Sequence, residues 1–478
     1  MPAYNIIAQN TENTVVSEYT PLPKRAEAYQ SEAQLEKEFI RLLCEVGYTY
    51  LPIHTEADLV ANLRKQLEKL NNYQFTDGEW ERFFQQNIAN ANEGIKEKTR
   101  RIQDGDTAQA FKRDTGESKN IRLLDKKCIH NNTLQVINQY TVSQAEGAAH
   151  DNRYDVTILV NGLPLVHVEL KRRGVAIREA FNQINRYKRD SFWAGSGLFD
   201  YVQIFVISNG TNTKYYSNTT RLGHIKDFNS SAARKRGKTS NSFEFTSFWA
   251  DAKNRIIPDL MDFTKTFFAK ATILNILTKY CVFTSEELLL VMRPYQIVAT
   301  ERILNRIEIA TNYKRYGTVQ GGGYIFHTTG SGKTLTSFKT AQLVADLPYI
   351  SKVLFVVDRK DLDYQTMKEY DRFEKGAANG NTSTAILTRQ LSDPNAKIII
   401  TTIQKLAIFI KKNANHPLAD KQVVIIFDEC HRSQFGEMHL AITNYFKKYH
   451  LFGFTGTPIF TDNAGNGKIP TLRTTEQA

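Results

Sequence analysis

One stretch constrains this chain more than any other: Phe326-His327-Thr328-Thr329-Gly330-Ser331-Gly332-Lys333-Thr334. It follows the short apolar run Tyr324–Phe326 and opens a helix-forming segment, which is the context a phosphate-binding loop requires. Glycines let the backbone fold its N–H groups around phosphate oxygens, and the helix N-terminus adds its dipole. In this reading Thr329, Gly330, Ser331 and Gly332 form the cradle, Lys333 reaches the β- and γ-phosphates, and the Thr334 hydroxyl holds Mg²⁺. The cofactors implied are ATP and Mg²⁺. The loop departs from G-x-x-x-x-G-K-[ST] at one place, where His327 replaces the first glycine.

A second segment fits the first. Val423–Phe427 is a buried-type strand that ends in Asp428-Glu429-Cys430-His431. Carboxylates at the carboxyl end of such a strand fall beside a phosphate loop. Asp428 would complete the Mg²⁺ shell, and Glu429 would orient and deprotonate the attacking water. Taken alone, an Asp-Glu pair serves equally well to cap the next helix. Its position within an alternating α/β stretch favours catalysis. The runs Tyr324–Phe326, Val353–Val357, Ile398–Thr401, Val423–Phe427 and Leu451–Phe454, separated by helices, predict a parallel, doubly wound sheet.

That sheet uses only part of the 478 residues, which at roughly 150 per domain make about three domains. Lys and Arg number 62 against 50 for Asp and Glu, a mild excess that favours a polyanionic partner. The four cysteines are far apart, so neither a zinc site nor a disulfide framework is expected. Apolar runs are strand-sized and the first ten residues carry no secretory pattern, which predicts a soluble, cytoplasmic chain with no membrane contact. Residues 1–20 are polar and read as a loose arm. Leu35, Phe39, Leu42, Leu43 and Val46 fall at helical spacing, and residues 56–104 predict further helices. Tyr154–Val160 and Leu165–Lys171 alternate around Asn-Gly, a hairpin signal. A helix at 176–188 and a strand at 201–208 follow. The Ser-, Lys- and Arg-rich stretch 224–242 reads as an exposed loop.

The hairpin carries chemistry of its own. Asp155 precedes Val168-Glu169-Leu170-Lys171 by a short gap. Two acidic groups hold Mg²⁺ against a scissile phosphate, and a lysine orients the attacking water or stabilises developing charge. Glu169 and Lys171 are two apart on a strand and share a face. The bland alternative is an amphipathic hairpin with a charged solvent face. Against it, Asp155, Glu169 and Lys171 sit amid apolar strands. For the apolar residues of both strands to share one side, a simple two-residue Asn161-Gly162 loop gives the wrong register. An odd-length or bulged turn, with Asp155 opposite Glu169, is therefore expected.

These segments resemble known families. Asp155, Glu169 and Lys171 resemble the PD-(D/E)xK nuclease core, with Tyr154 where proline is usual. Gln183 and Tyr187, spaced on a helix, resemble the Q-x-x-x-Y motif of RecB-like nucleases. That class often supplies a metal-facing Glu from an N-terminal helix, and Glu36 is the candidate here, beside Glu32 and Glu38. Asp428–His431 resembles the DEAD-type box of superfamily 2 helicases, and Thr455-Gly456-Thr457-Pro458 their motif III. Arg293-Pro294-Tyr295-Gln296 resembles the Q motif, in which Gln296 would read adenine. Val356–Arg359 and Thr401–Gln404 sit where motifs Ia and Ib contact the nucleic-acid backbone.

A RecB-like nuclease followed by a superfamily 2 motor resembles the restriction (R) subunit of Type I restriction–modification enzymes. The fold implied is α/β: a nuclease-like mixed sheet with helices at 21–255, a helical linker at 256–290, and a RecA-like parallel sheet at 291–465, with a truncated tail at 466–478. The resemblance implies ATP-dependent translocation of duplex DNA, Mg²⁺-dependent cleavage of unmethylated foreign DNA away from the recognition site, and methylation and specificity subunits as partners. Because Thr461–Ala478 is polar and loop-like, the chain is expected to be an N-terminal fragment lacking the second motor lobe and its arginine fingers. Two alternatives stay open: a stand-alone nuclease–helicase of DNA repair or phage defence, and an RNA helicase with an inert nuclease-like module.

Overall fold

The computed structural model of this chain describes all residues except 1–4, 10–13, 21–29, 106, 221–241, 329–330, 358–372, 374–383, 429–436 and 457–478. Two compact units divide it. Asn13–Phe283 with Glu287–Tyr295 forms the body of the first, and Gln296–Ala478 that of the second.

Near the start of the chain, β1 (Asn5–Gln9) pairs with β2 (Thr14–Glu18), where Val16 is buried. The segment expected as a loose arm thus contains strands. Helix α1 (Glu32–Glu45) begins in a capping box: Ser31 accepts from the Gln34 N–H, and the Gln34 side chain accepts from the Ser31 N–H. Its stripe Leu35, Phe39, Leu42 and Leu43 is buried. Next come β3 (Thr49–Tyr50), the helices α2 (Glu56–Asn71), α3 (Asp77–Phe83) and α4 (Ile95–Gln103), and a hairpin of β4 (Ala108–Lys112) and β5 (Ser118–Arg122). Then follow β6 (Leu134–Val142), β7 (Asn152–Val160), β8 (Leu163–Leu170), α5 (Arg178–Asp190), β9 (Ile204–Ser208) and β10 (Thr213–Ser217).

Among the described residues these strands form a six-stranded sheet ordered β10-β9-β8-β7-β6-β3. It is mixed: β8 runs parallel to β9, and β3 to β6, while the other pairs are antiparallel. Strand β6 escaped the reading of the sequence. It lies between two neighbours and its polar residues have internal partners, so no solvent-facing alternation marks it.

The β7–β8 hairpin meets its register condition by a bulge. Val160 pairs with Leu163, so Asn161 and Gly162 form a two-residue turn, and both have the positive φ of a type I′ turn, 51° and 84°. The register shifts between Ile158 and Leu159 and skips Leu165 on β8. Beyond the bulge Val156 opposes Val168 and Ile158 opposes Val166. The apolar sets then share a side, and the same register puts Asp155 opposite Glu169.

Residues 256–290, expected as a linker, belong to the first unit except for Thr284–Glu286. They form α6 (Leu260–Thr266), α7 (Lys270–Thr278) and a pairing of β11 (Cys281–Phe283) with β12 (Leu289–Val291). Phe268 packs on Phe39 at 5.6 Å between ring centroids, and Phe267 on Tyr215 at 5.1 Å. Burial of such large apolar surface ties these elements to the core.

The second unit runs through α8 (Pro294–Asn312), β13 (Gly323–Phe326), α9 (Lys333–Ala345), β14 (Lys352–Val357), α10 (Thr384–Ser392), β15 (Ile398–Thr402), α11 (Ile403–Lys412), β16 (Gln422–Asp428), α12 (Glu437–Tyr445) and β17 (Lys448–Thr455). The strands form a parallel sheet ordered β13-β17-β16-β14-β15. Phe338, Ala341 and Val344 of α9 pack with Phe355 and Ile426 on one face. Leu406 and Phe409 of α11 and Ile442 of α12 pack with Leu354 and Phe427 on the other. With both faces covered, the strands are continuously apolar, as a doubly wound sheet requires. Among the described residues no helix is long and apolar enough to cross a membrane.

Candidate functional site

The β7–β8 hairpin brings Asp155 and Glu169 together. Asp155 Oδ2 accepts the N–H of Leu170 at 2.9 Å, which locks its carboxyl to the end of β8. Glu169 is fully buried. The Lys171 Nζ stands 3.4 Å from Glu169 Oε1. Burial, and then the charge of Glu169, pushes the Asp155 carboxyl up to about 7. Burial pushes Glu169 up to about 8 against the opposing pull of Lys171. Buried carboxyls facing one another favour their neutral forms unless a cation joins them. Glu169 Oε2 has no hydrogen-bond partner. Two converging carboxyls with an orphaned oxygen are a donor set that suits a hard divalent cation such as Mg²⁺.

A further residue of this face, His167, was not singled out from sequence. His167 is fully buried, with Nδ1 3.1 Å from Thr157 Oγ1 and Nε2 3.4 Å from Glu169 Oε2. Burial lowers its pKa to about 4, so the imidazole is neutral. The signal was present: His167 lies two residues before Glu169, so the strand period puts it on the same face.

Helix α5 closes over the hairpin. Ala180, Phe181, Ile184 and Tyr187 form its buried stripe. The Tyr187 hydroxyl donates to the Arg153 carbonyl at 2.8 Å and accepts from the Gln183 amide. Gln183 and Tyr187 therefore join one another and tie α5 to β7. From α1, Glu36 accepts from the amides of Asn138 and Gln139 on β6. Glu32 instead accepts the Arg172 N–H at 3.2 Å, and its charge reaches Glu169 and raises it. Glu38 accepts from Gln30 at 3.0 Å. Glu32 is thereby electrostatically connected to the Asp155–Glu169 pair.

In the second unit the phosphate-loop residues open α9. Gly332 is its N-cap, at φ +80°, and a helix N-terminus turns backbone N–H groups and the positive end of its dipole toward an anion. Lys333 and Thr334 are the first two residues of the helix. Gln296 on α8 donates to the Ser331 carbonyl at 3.1 Å and the Gly332 carbonyl at 3.3 Å, so it braces the loop. A Cβ on Gly332 would lie 2.6 Å from that amide nitrogen. Asp428 ends β16, while Thr455 ends β17, the strand lying between β16 and β13. His327 donates its N–H to the Thr455 carbonyl at 3.0 Å. β13 and β16 therefore finish level with one another at the carboxyl end of the parallel sheet, separated by β17. Thr329, Gly330 and Glu429 lie outside the described residues, as do Asp358, Arg359, Thr457 and Pro458.

Comparison with known proteins agrees with both halves. Residues 29–224 match the family described as Type I restriction enzyme R protein N terminus, and 295–472 match SWI2/SNF2 ATPase. The chain is 40% identical over 443 residues to the Type I restriction enzyme SsaAORF53P endonuclease subunit of Staphylococcus saprophyticus, covering 91% of this chain and 43% of that one. It is 50% identical over 303 residues to the Type I restriction enzyme EcoprrI endonuclease subunit of Escherichia coli, covering 63% of this chain and 90% of that sequence. The chain thus spans less than half the length of the staphylococcal relative. With half of all residues shared across nine-tenths of the Escherichia coli sequence, the chain belongs to the family of Type I restriction enzyme endonuclease subunits.

Proposed function

We propose that this chain carries the nuclease and the first motor lobe of a restriction enzyme. It would act with methylation and specificity subunits in the cytoplasm, moving duplex DNA by ATP hydrolysis and cutting unmethylated foreign DNA away from the recognition site. The observation that carries the reading is the half-buried Asp155 beside the fully buried Glu169, with the Lys171 amine 3.4 Å from Glu169. A hydrolytic site for phosphodiesters needs a place for a divalent cation and a fixed positive charge, and this arrangement supplies both.

Asp155 and Glu169 would hold Mg²⁺, which when bound supplies Lewis acidity at the scissile phosphate. Lys171 orients the attacking water and offsets charge that builds on the phosphate. Gln183 and Tyr187 hold α5 against β7 and close the site's apolar side. In the second unit, Ser331, Gly332 and Lys333 receive the phosphates of ATP, with Thr334 and Asp428 for its Mg²⁺, Glu429 for the attacking water, and Gln296 bracing the loop.

The test is DNA cleavage by the complete enzyme carrying Asp155→Ala, Glu169→Ala or Lys171→Ala. Each variant should lose cleavage while keeping ATP hydrolysis. Cleavage at the native rate by any of them removes that residue from the site.

A further inference from the structure

We infer that His167 is a positioning residue for the nuclease site: held by Thr157 on one ring nitrogen, it directs its other N–H at Glu169 and fixes the carboxylate in its metal-holding orientation. This rests on the nuclease reading above.

The geometry leaves an open link. His167 Nε2 and Glu169 Oε2 are both buried, neither has a hydrogen-bond partner, and they stand 3.4 Å apart. Ordinary core histidines are satisfied, because an unpaired polar atom inside a protein costs about 1–3 kcal/mol. Here two such atoms face one another just beyond hydrogen-bonding distance. The ring has little room to turn away: Tyr154, Tyr187, Phe192 and Phe205 surround it with centroids 5.6, 6.1, 5.7 and 6.4 Å distant. On its other side, Nδ1 meets the Thr157 hydroxyl at 3.1 Å.

A neutral imidazole carries one N–H. An ionised Glu169 only accepts, so the tautomer that serves both ring nitrogens carries its proton on Nε2, pointing at Glu169 Oε2, and takes the Thr157 hydroxyl as donor to Nδ1. A shift of a few tenths of an ångström closes the gap to about 3.0 Å, an ordinary N–H···O distance. The other oxygen, Oε1, faces Lys171. The carboxylate is then oriented from both sides, once ionised. Partners of this kind behind a metal-holding group typically govern affinity by about 10- to 100-fold. An apolar ring would fill the same space and remove the unpaired Nε2, at the loss of the Thr157 contact. A histidine here is explained by the orientation it imposes on Glu169.

Mn²⁺ binding to the 478-residue chain, without nucleotide, tests this by calorimetry and by the spin-resonance signal of the bound ion. The relevant binding is the component that Glu169→Gln removes. His167→Phe should weaken that component by about tenfold or more, and His167→Gln, which keeps an N–H near the Nε2 position, should restore most of it. Thr157→Val should weaken it less than His167→Phe but measurably. Without metal, the melting temperature of His167→Phe should not fall below that of the parent.

Native affinity in folded His167→Phe overturns the inference, as does His167→Gln binding no better than His167→Phe. If His167→Phe fails to fold, Thr157→Val decides, and native affinity there overturns the inference. Loss of binding in Glu169→Gln with native affinity in His167→Phe sinks this inference alone. Unchanged binding in Glu169→Gln sinks the nuclease reading and this inference with it.

Discussion

Asp200 lies buried in the first unit, and burial pushes its carboxyl up to about 6 against the pull of Lys98 and Lys188. The folded chain holds this proton more tightly than the unfolded chain, whose aspartate titrates near about 3.9. The group's contribution to stability is therefore fully present below about pH 4 and is lost as pH rises through 6. Asn mimics the neutral form. Between pH 4 and pH 7 the stability of Asp200→Asn should gain on the parent by about 2–3 kcal/mol, read from urea unfolding at both pH values. A gap that stays constant with pH refutes the assignment. Lys352 shows the opposite use of a buried charge. Its ammonium donates to the carbonyls of Gln390, Asp393 and Ala396, where α10 ends. Lys352→Met strands those acceptors and should destabilise the second unit by about 2–4 kcal/mol, measured by denaturant unfolding. Proximity was legible where strand spacing alone sets it, as for Glu169 and Lys171, which stand 3.4 Å apart. His167 obeys the same spacing but was passed over, because its partner Thr157 lies on another strand and only the folded register joins them.

At the scale of elements, turns and loop entries carry the strongest sequence signals and the sharpest tests. Asn161-Gly162 announced the hairpin, and the bulge that skips Leu165 was required by the positions of the apolar residues. What no local signal foretold is that α2 lies against the turn: a Cβ on Gly162 would stand 2.6 Å from Leu63 Cα. Gly162→Ala meets both that backbone and a φ of +84°, and should cost about 2 kcal/mol or more, seen as a lower melting temperature. In the second unit Gly332 is constrained in the same two ways, by φ +80° and by Gln296. Gly332→Ala should displace Gln296 and lower affinity for a fluorescent ATP analogue at least tenfold, with the fold retained. Native nucleotide affinity would show that Gln296 does not brace the loop.

For the whole molecule, the two sites stand on separate sheets in separate units, each with its own core. Their chemistries should therefore separate. Lys333→Ala should abolish ATP hydrolysis and leave untouched the Mn²⁺ binding that Glu169→Gln removes, because sites on separate sheets with no shared residue act additively. Loss of that binding in Lys333→Ala would show the two sites to be coupled. The division itself was drawn differently from sequence. Residues 256–290 were expected to link two domains, but Phe263, Phe267 and Phe268 are buried in the first unit. Helical periodicity reports that a face is apolar and does not say which core receives it.

Sequence alone determined the class of each half. A phosphate loop after a strand, and β runs separated by helices, admit few architectures, because backbone geometry and burial act locally. It also determined which side chains carry charge at the candidate site. Tertiary structure decided which of them meet. It left Glu36 to Asn138 and Gln139, put Glu32 within electrostatic reach of Glu169, set β17 between β13 and β16, and turned His167 toward Glu169. Those outcomes depend on strand register and on helices packed from distant parts of the chain. They are long-range contacts that no window of neighbouring residues encodes.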